Sequence, residues 1–205
     1  PMWGYLYKKV LDGLDDSHRY IIPDLIGFGF SEKVKIHEHS LEDHSKWMAE
    51  FFSTIKEEKI GLVVHDWGGM IGIAGAMKAG KKIDGLVVMN TAITAPKDGF
   101  KPTWFHSLSQ IPLVSSLVFR GLNFPLSFLN HFAHVPGSFD SQSMKAYKYP
   151  LRKFRDNCGP LALARMVPNS MQHPSVPIEQ EIEMYLGSYE GKAQIVWGMN
   201  DPVMW

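Results

Sequence analysis

Residues 63–72 read VVHDWGGMIG, and their aspartate, Asp66, is the side chain best placed to do chemistry. A carboxylate at the end of an apolar run, directly before a glycine pair, has two uses. It can cap the helix that follows, since aspartate is among the best N-cap residues. It can also act as a nucleophile. Gly68 and Gly69 allow a sharp turn and close helix–strand packing, and Gly72, Ala74, Gly75 and Ala76 keep the following helix narrow. That is the layout of a nucleophile elbow, which holds one residue exposed on a tight strand–turn–helix. Aspartate stands where serine is more usual, and Val64 replaces the first glycine. A cap alone does not require such packing, so the nucleophile is the stronger reading.

An aspartate is ionised at neutral pH without help from a base. Attacking a saturated carbon, it forms an alkyl ester on the protein. Water must then attack the carbonyl of that ester, which calls for a histidine base and an oxyanion hole. Alkyl halides, epoxides and strained rings are the substrates that suit such a nucleophile, rather than ordinary esters.

The elements that must position Asp66 follow from alternation along the chain. IGLVVH (60–65), IDGLVVMN (83–90) and AQIVWG (193–198) are short β-branched runs that read as strands, as does RYIIPD (19–24), ending at Pro23. LEDHSKWMAEFFSTI (41–55) carries apolar residues at helical spacing, with Ser40 placed to cap it. GMIGIAGAMKAG (69–80) reads as a helix closed by Gly80, and VPIEQEIEMYLG (176–187) as an amphipathic helix. Strands apolar throughout and separated by helices indicate a parallel sheet covered on both faces. Between Asn90 and about Ser175 the alternation stops, and prolines and aromatics accumulate. This segment reads as a helical cap inserted into the sheet. The expected organisation is therefore a first core part over 1–93, a cap over 94–175 and a second core part over 176–205.

With 205 residues, 45% hydrophobic, the chain is long enough for one buried core. Lys+Arg and Asp+Glu both total 21, which gives no electrostatic case for nucleic acid or an anionic membrane. Cys158 is the single cysteine, so no internal disulfide or cysteine metal cluster can form, which fits a reducing, cytoplasmic setting. The least polar stretch, 111–135, is interrupted by Pro112, Arg120, Gly121 and Pro125, so nothing there is expected to span a bilayer. It reads as amphipathic helices over a pocket, with contact at a lipid surface as the alternative. The beginning at Pro1 and the end at Trp205 read as cuts in a longer protein.

Five stretches in order carry a resemblance: PMWGYLYKKV (1–10), IIPDLIGFGFSEK (21–33), VVHDWGG (63–69), VVMNTA (87–92) and IVWGMNDP (195–202). Together they resemble the haloalkane dehalogenase family of α/β-hydrolases over essentially the whole chain. FRGLNF (119–124) and RMVPNSMQHPS (165–175) resemble its branch that includes the β-lactone decarboxylases of olefin biosynthesis. The resemblance implies an α/β-hydrolase fold with a helical cap and makes Asp66 the nucleophile. Trp67 becomes the halide-stabilising tryptophan, whose backbone N–H also serves the oxyanion hole. Asp201 becomes the triad acid, because the alternative acid position holds neutral Asn90, itself better suited to hydrogen bonding at a strand end. The cap halide ligand falls on Trp104 or, with a one-residue shift, on Phe105. The resemblance places the catalytic histidine beyond Trp205, and a further halide ligand before Pro1. His65 should point away from Asp66 along the strand, and His173 is expected to pack locally. No metal or organic cofactor is implied, and the expected partner is a small apolar substrate, with the oligomeric state open.

The implied function is hydrolytic dehalogenation of haloalkanes through an aspartyl ester, in a chain that cannot by itself release the ester. A β-lactone decarboxylase using the same aspartate is the near alternative. An epoxide hydrolase would need cap acids such as Tyr147 and Tyr149, which otherwise pack at the edge of the cap. A ligand-binding homologue without catalysis is the alternative from another class.

Overall fold

The computed structural model describes residues 2–97, 100–128 and 140–201. Residues 129–135 of the apolar stretch, and Pro202 after the triad-acid candidate, lie outside them. In chain order the helices are α1 (Lys8–Leu11), α2 (Leu41–Thr54), α3 (Trp67–Lys78), α4 (Trp104–Ser109), α5 (Ser141–Lys148), α6 (Cys158–Arg165) and α7 (Val176–Gly187). The strands are β1 (Lys59–His65), β2 (Lys82–Met89) and β3 (Lys192–Val196). The chain forms two compact units, one of His37–Ser107 with Ala162–Trp205, the other of Met2–Ile36 with Leu108–Leu161.

The first unit holds the sheet. Its strands run parallel in the order β1-β2-β3, with Val64 opposite Val88 and Val88 opposite Ile195. Parallel neighbours cannot be joined by a hairpin, and α3 makes the crossover from β1 to β2. That helix is buried nearly all round, which its composition permits. A Cβ on Gly72 would meet Val64 Cγ1 at 3.4 Å, and one on Gly75 would fall 2.5 Å from Met48 Cγ of α2. Small residues thus let the sheet and α2 close on α3 from its two sides. Ser40 caps α2 by accepting from the Asp43 amide at 3.0 Å. Gly80, at φ +65, ends the turn after α3. Helices flank a parallel sheet, as the alternation of patterns requires.

One expectation needs correction. RYIIPD (19–24) forms no strand, because composition is not enough where no neighbouring strand supplies a ladder, and Pro23 has no N–H to give one. Parts of the sheet are exposed among the described residues. All of β3 is exposed, Ile195 at 72%, and Val63 of β1 is 54% exposed. Val64 of β1 and Ile83, Leu86 and Val88 of β2 are buried.

Between Asn90 and Ser175 the described residues are helices and turns without a strand. Those of the second unit pack Leu126, Tyr147 and Leu151 against Met2, Trp3, Tyr5 and Leu6. Asp24 ties its own loop and the start of the chain together, accepting from Gly4 N at 2.7 Å and Phe30 N at 2.9 Å. Gly29, at φ +47, lies so close that any Cβ would strike the Asp24 carboxylate. No described helix is long and apolar enough to cross a membrane.

Candidate active site

Asp66 closes β1 and opens α3, and its backbone separates the two readings of the sequence. Ordinary caps in this chain have extended backbones: Ser40 at φ −140, ψ 162 and Asp140 at φ −70, ψ 169, each accepting from the amide three residues on. Asp66 stands at φ 53, ψ −135 and accepts instead from the very next amide, Trp67 N, at 2.7 Å. A non-glycine residue in that region is strained by about 1–3 kcal/mol and persists only where its surroundings impose it. Capping needs no such strain. A sharp turn that lifts one side chain out of the strand does.

The surroundings that impose it are in place. The Asp66 N–H donates to Asn90 O at 3.1 Å, and the Thr91 hydroxyl donates to Asp66 O at 2.5 Å. Gly69 N donates to the same carbonyl at 3.0 Å. The close approach of Thr91 depends on Gly69, since a Cβ there would lie 2.0 Å from Thr91 Oγ1. Gly68 is different: its Cβ would meet nothing within 4 Å, so of the glycine pair only Gly69 serves packing.

Asp201 is brought to the same end of the sheet by one residue. The Asn90 side chain donates from Nδ2 to Asp201 Oδ2 at 2.9 Å and to Gly198 O at 3.2 Å, while Oδ1 accepts from Gly198 N at 2.7 Å. Its backbone carbonyl holds Asp66. Asn90, with φ 26, therefore links the nucleophile candidate to the acid candidate. The strand-end hydrogen-bonding expected of Asn90 is present. Thr91 was not singled out by pattern, although a small polar residue directly after a strand facing an elbow glycine is the signal that identifies it.

Opposing electrostatic influences act on Asp66. Burial opposes its charge, while the His65 imidazole and the Trp67 N–H support it. The start of α3 adds its positive end. Burial lowers the pKa of His65, against the pull of the Asp66 and Asp201 carboxylates, so that imidazole lies within electrostatic reach of both. Burial also lowers the pKa of His106, and Asp66 again pulls upward. His106 shares a 2.8 Å hydrogen bond between its Nδ1 and Thr103 Oγ1. The sequence reading passed over His106.

The remaining candidates fall at different depths. Trp67 is buried, with its amide already on the Asp66 carboxylate. Trp104 is 66% exposed at the start of α4, and Phe105 is half-buried beside it. His173 packs locally, accepting from Ser175 N at 3.2 Å. Tyr147 is buried against Tyr5, and Tyr149 is exposed against Arg152. Among the described residues no group of His, Cys, Asp and Glu could hold a metal ion.

A family model described as alpha/beta hydrolase fold matches residues 1–204. Haloalkane dehalogenase 1 of Mycobacterium tuberculosis is 29% identical over 209 residues, covering 100% of this chain and 66% of that protein. A cis-3-alkyl-4-alkyloxetan-2-one decarboxylase of Shewanella oneidensis is 24% identical over 205 residues, covering 98% of this chain and 64% of that one. Among solved structures, haloalkane dehalogenase DatA from Agrobacterium tumefaciens matches with a TM-score of 0.83 at 19% identity, covering 95% of this chain and 68% of that one. Tetrameric haloalkane dehalogenase DpaA from Paraglaciecola agarilytica matches with a TM-score of 0.79 at 23% identity, covering 100% and 66%. At these identities the structural likeness shows the fold. The chain spans 66% of the length of the first curated relatives it matches.

Proposed function

We propose a displacement chemistry for this chain, which belongs to the alpha/beta hydrolase fold family: Asp66 attacks the saturated carbon of a small haloalkane and halide leaves. The carboxylate oxygen forms a C–O bond as the carbon–halogen bond breaks, and the electron pair departs with the halide. Trp67 receives the leaving anion through its indole N–H, and the segment 94–175 serves as the cap over the substrate. Asp201, held by Asn90, is the acid that orients the base of the second step. In that step water attacks the ester carbonyl, its proton goes to the base, and Asp66 and an alcohol are regenerated. No metal or organic cofactor takes part. A single buried cysteine, Cys158, suits a cytoplasmic setting.

The observation that carries this reading is the backbone of Asp66 at φ 53, an elbow conformation at a helix start, on an aspartate rather than a serine. A hydroxyl nucleophile would suit acyl transfer, whereas a carboxylate suits substitution at saturated carbon. The decarboxylase relative supports a second reading, in which the same Asp66 opens a β-lactone. Bromide release from 1-bromohexane should be compared with olefin formation from a dialkyl β-lactone. Dehalogenation expects bromide release, lost in Asp66→Asn. Olefin formation without bromide release would transfer the assignment to the lactone, and neither product would end it.

A further inference from the structure

The second unit carries an apolar surface that the displacement chemistry does not use. Leu113, Leu117 and Leu122 are 85%, 63% and 56% exposed. Leu117 N donates to Leu113 O at 2.9 Å and Leu122 N to Leu117 O at 3.0 Å. The first bond joins Leu113, in the turn before the helix, to Leu117. The second closes the wider π-turn at Ser116–Gly121. Phe119, on the other side, is fully buried. Leu113 also has φ +62, a left-handed conformation that a leucine adopts only at a cost. Three leucines are exposed here, two of them joined across a rare turn and the third in a strained conformation. Neither feature improves burial.

Charge indicates what the ridge meets. From Gly99 to Phe139 the sequence contains no aspartate or glutamate, and its only Lys and Arg are Lys101 and Arg120. Arg120 lies over the Phe154 ring at 3.9 Å and donates from Nε to Phe154 O at 3.3 Å, joining the ridge to the segment 152–155. That segment reads Arg-Lys-Phe-Arg, and all four residues are exposed. Arg152 lies over the exposed Tyr149 ring at 4.1 Å. Among the described residues, only Arg155 of this group pairs with a carboxylate, Asp156 at 3.5 Å.

We propose that this face docks on an anionic lipid bilayer, with the leucines entering the acyl boundary and Arg120, Arg152 and Lys153 lying among the headgroups. Aromatic side chains with basic neighbours, beside an acid-free apolar ridge, match the chemistry of that interface. A second copy of the chain fits less well. A two-fold contact through this patch would set its arginines and lysine against their own counterparts. The docking is peripheral, in keeping with the absence of a spanning helix among the described residues.

The test is co-sedimentation of the chain with phosphatidylcholine vesicles carrying about one-third phosphatidylglycerol, with phosphatidylcholine alone as control. Binding to the anionic vesicles is expected, weakened strongly at about 0.5 M salt. The double variant Leu113→Asp/Leu117→Asp should lower the partition coefficient by tenfold or more. Arg152→Glu/Lys153→Glu should lower it by about fivefold per charge lost, at low salt. All four positions are exposed, and unchanged circular dichroism melts show that each variant folds. Absence of vesicle binding by the parent chain overturns the proposal. So does binding that both double variants retain, or light scattering that shows a dimer converted to monomer by the leucine double variant.

Discussion

Replacing Gly69 by alanine puts a methyl group where the Thr91 side chain already lies. The new Cβ would fall 2.0 Å from Thr91 Oγ1 and 2.9 Å from its Cβ and Cγ2. Thr91 is 4% exposed, and its hydroxyl is the donor that holds Asp66 O. The methyl must therefore expel the hydroxyl from that bond or push β2 and α3 apart. Losing a buried hydrogen bond costs about 1–3 kcal/mol. Overpacking adds about 1–3 kcal/mol, while alanine in a helix returns about 1 kcal/mol relative to glycine. The net loss centres near 3 kcal/mol, or about 6–12 °C in Tm for a chain of this size. Gly68→Ala is the internal control. Its Cβ meets nothing within 4 Å, so the same chemical change one residue earlier should be neutral or stabilising by up to about 1 kcal/mol. Thermal and urea unfolding followed by circular dichroism measure both. The double variant Gly69→Ala/Thr91→Ala should lose less than the sum of its parts, since the clash is shared. Equal stability of the two single alanine variants would refute the packing argument for the elbow.

Asn90→Ala should leave the Asp66 N–H protected, because its partner is a backbone carbonyl. The Gly198 amide, bonded to Asn90 Oδ1, should exchange at least tenfold faster, read by hydrogen-exchange mass spectrometry. The buried pair His39 and His44, joined at 2.9 Å, has folded pKa values lowered by burial to about 4 and about 3. The folded state then binds fewer protons than the unfolded one, so their contribution is complete above about pH 6.5 and lost as pH falls towards 3. His44→Gln should flatten the acid limb of a stability profile recorded from pH 7 to pH 3. Burial raises Glu179 to about 7, the opposite sign. Its contribution is complete below its ordinary value near 4.5 and is lost as pH rises through 7. Glu179→Gln should therefore remove the alkaline slope and stabilise the fold at pH 8 by about 1–3 kcal/mol, measured by urea titration.

Much of the fold is legible where a local pattern and its packing agree. Ser40 before Leu41, and the small residues of 69–76, act through contacts a few residues away or across one interface, and the helices begin and end close to where those signals stand. RYIIPD misleads because a strand exists only through its partner, and composition says nothing about whether one is adjacent. The exposure of Val63 and Ile195 is hidden in the same way, since an apolar side chain does not show what covers it. At the site, glycine spacing reveals the elbow at Asp66. It does not reveal that Gly69 alone makes room for Thr91, or that Asn90, whose carbonyl holds Asp66, reaches Asp201 across 111 positions of sequence. Those facts are tertiary distances. His106 was passed over for the same reason, as its coupling to Asp66 leaves no periodic trace.

Covalent capture of the substrate at Asp66 tests the central claim most directly. The chain is incubated with 1-bromohexane, and intact and peptide mass spectrometry locate the adduct. One hexyl group should appear, esterified to Asp66, with bromide released in equal amount and no adduct in Asp66→Asn. A rapid acid quench within the first turnover preserves the ester for detection. A hexyl group on any other residue, or bromide release undiminished in Asp66→Asn, would contradict the assignment of Asp66 as nucleophile.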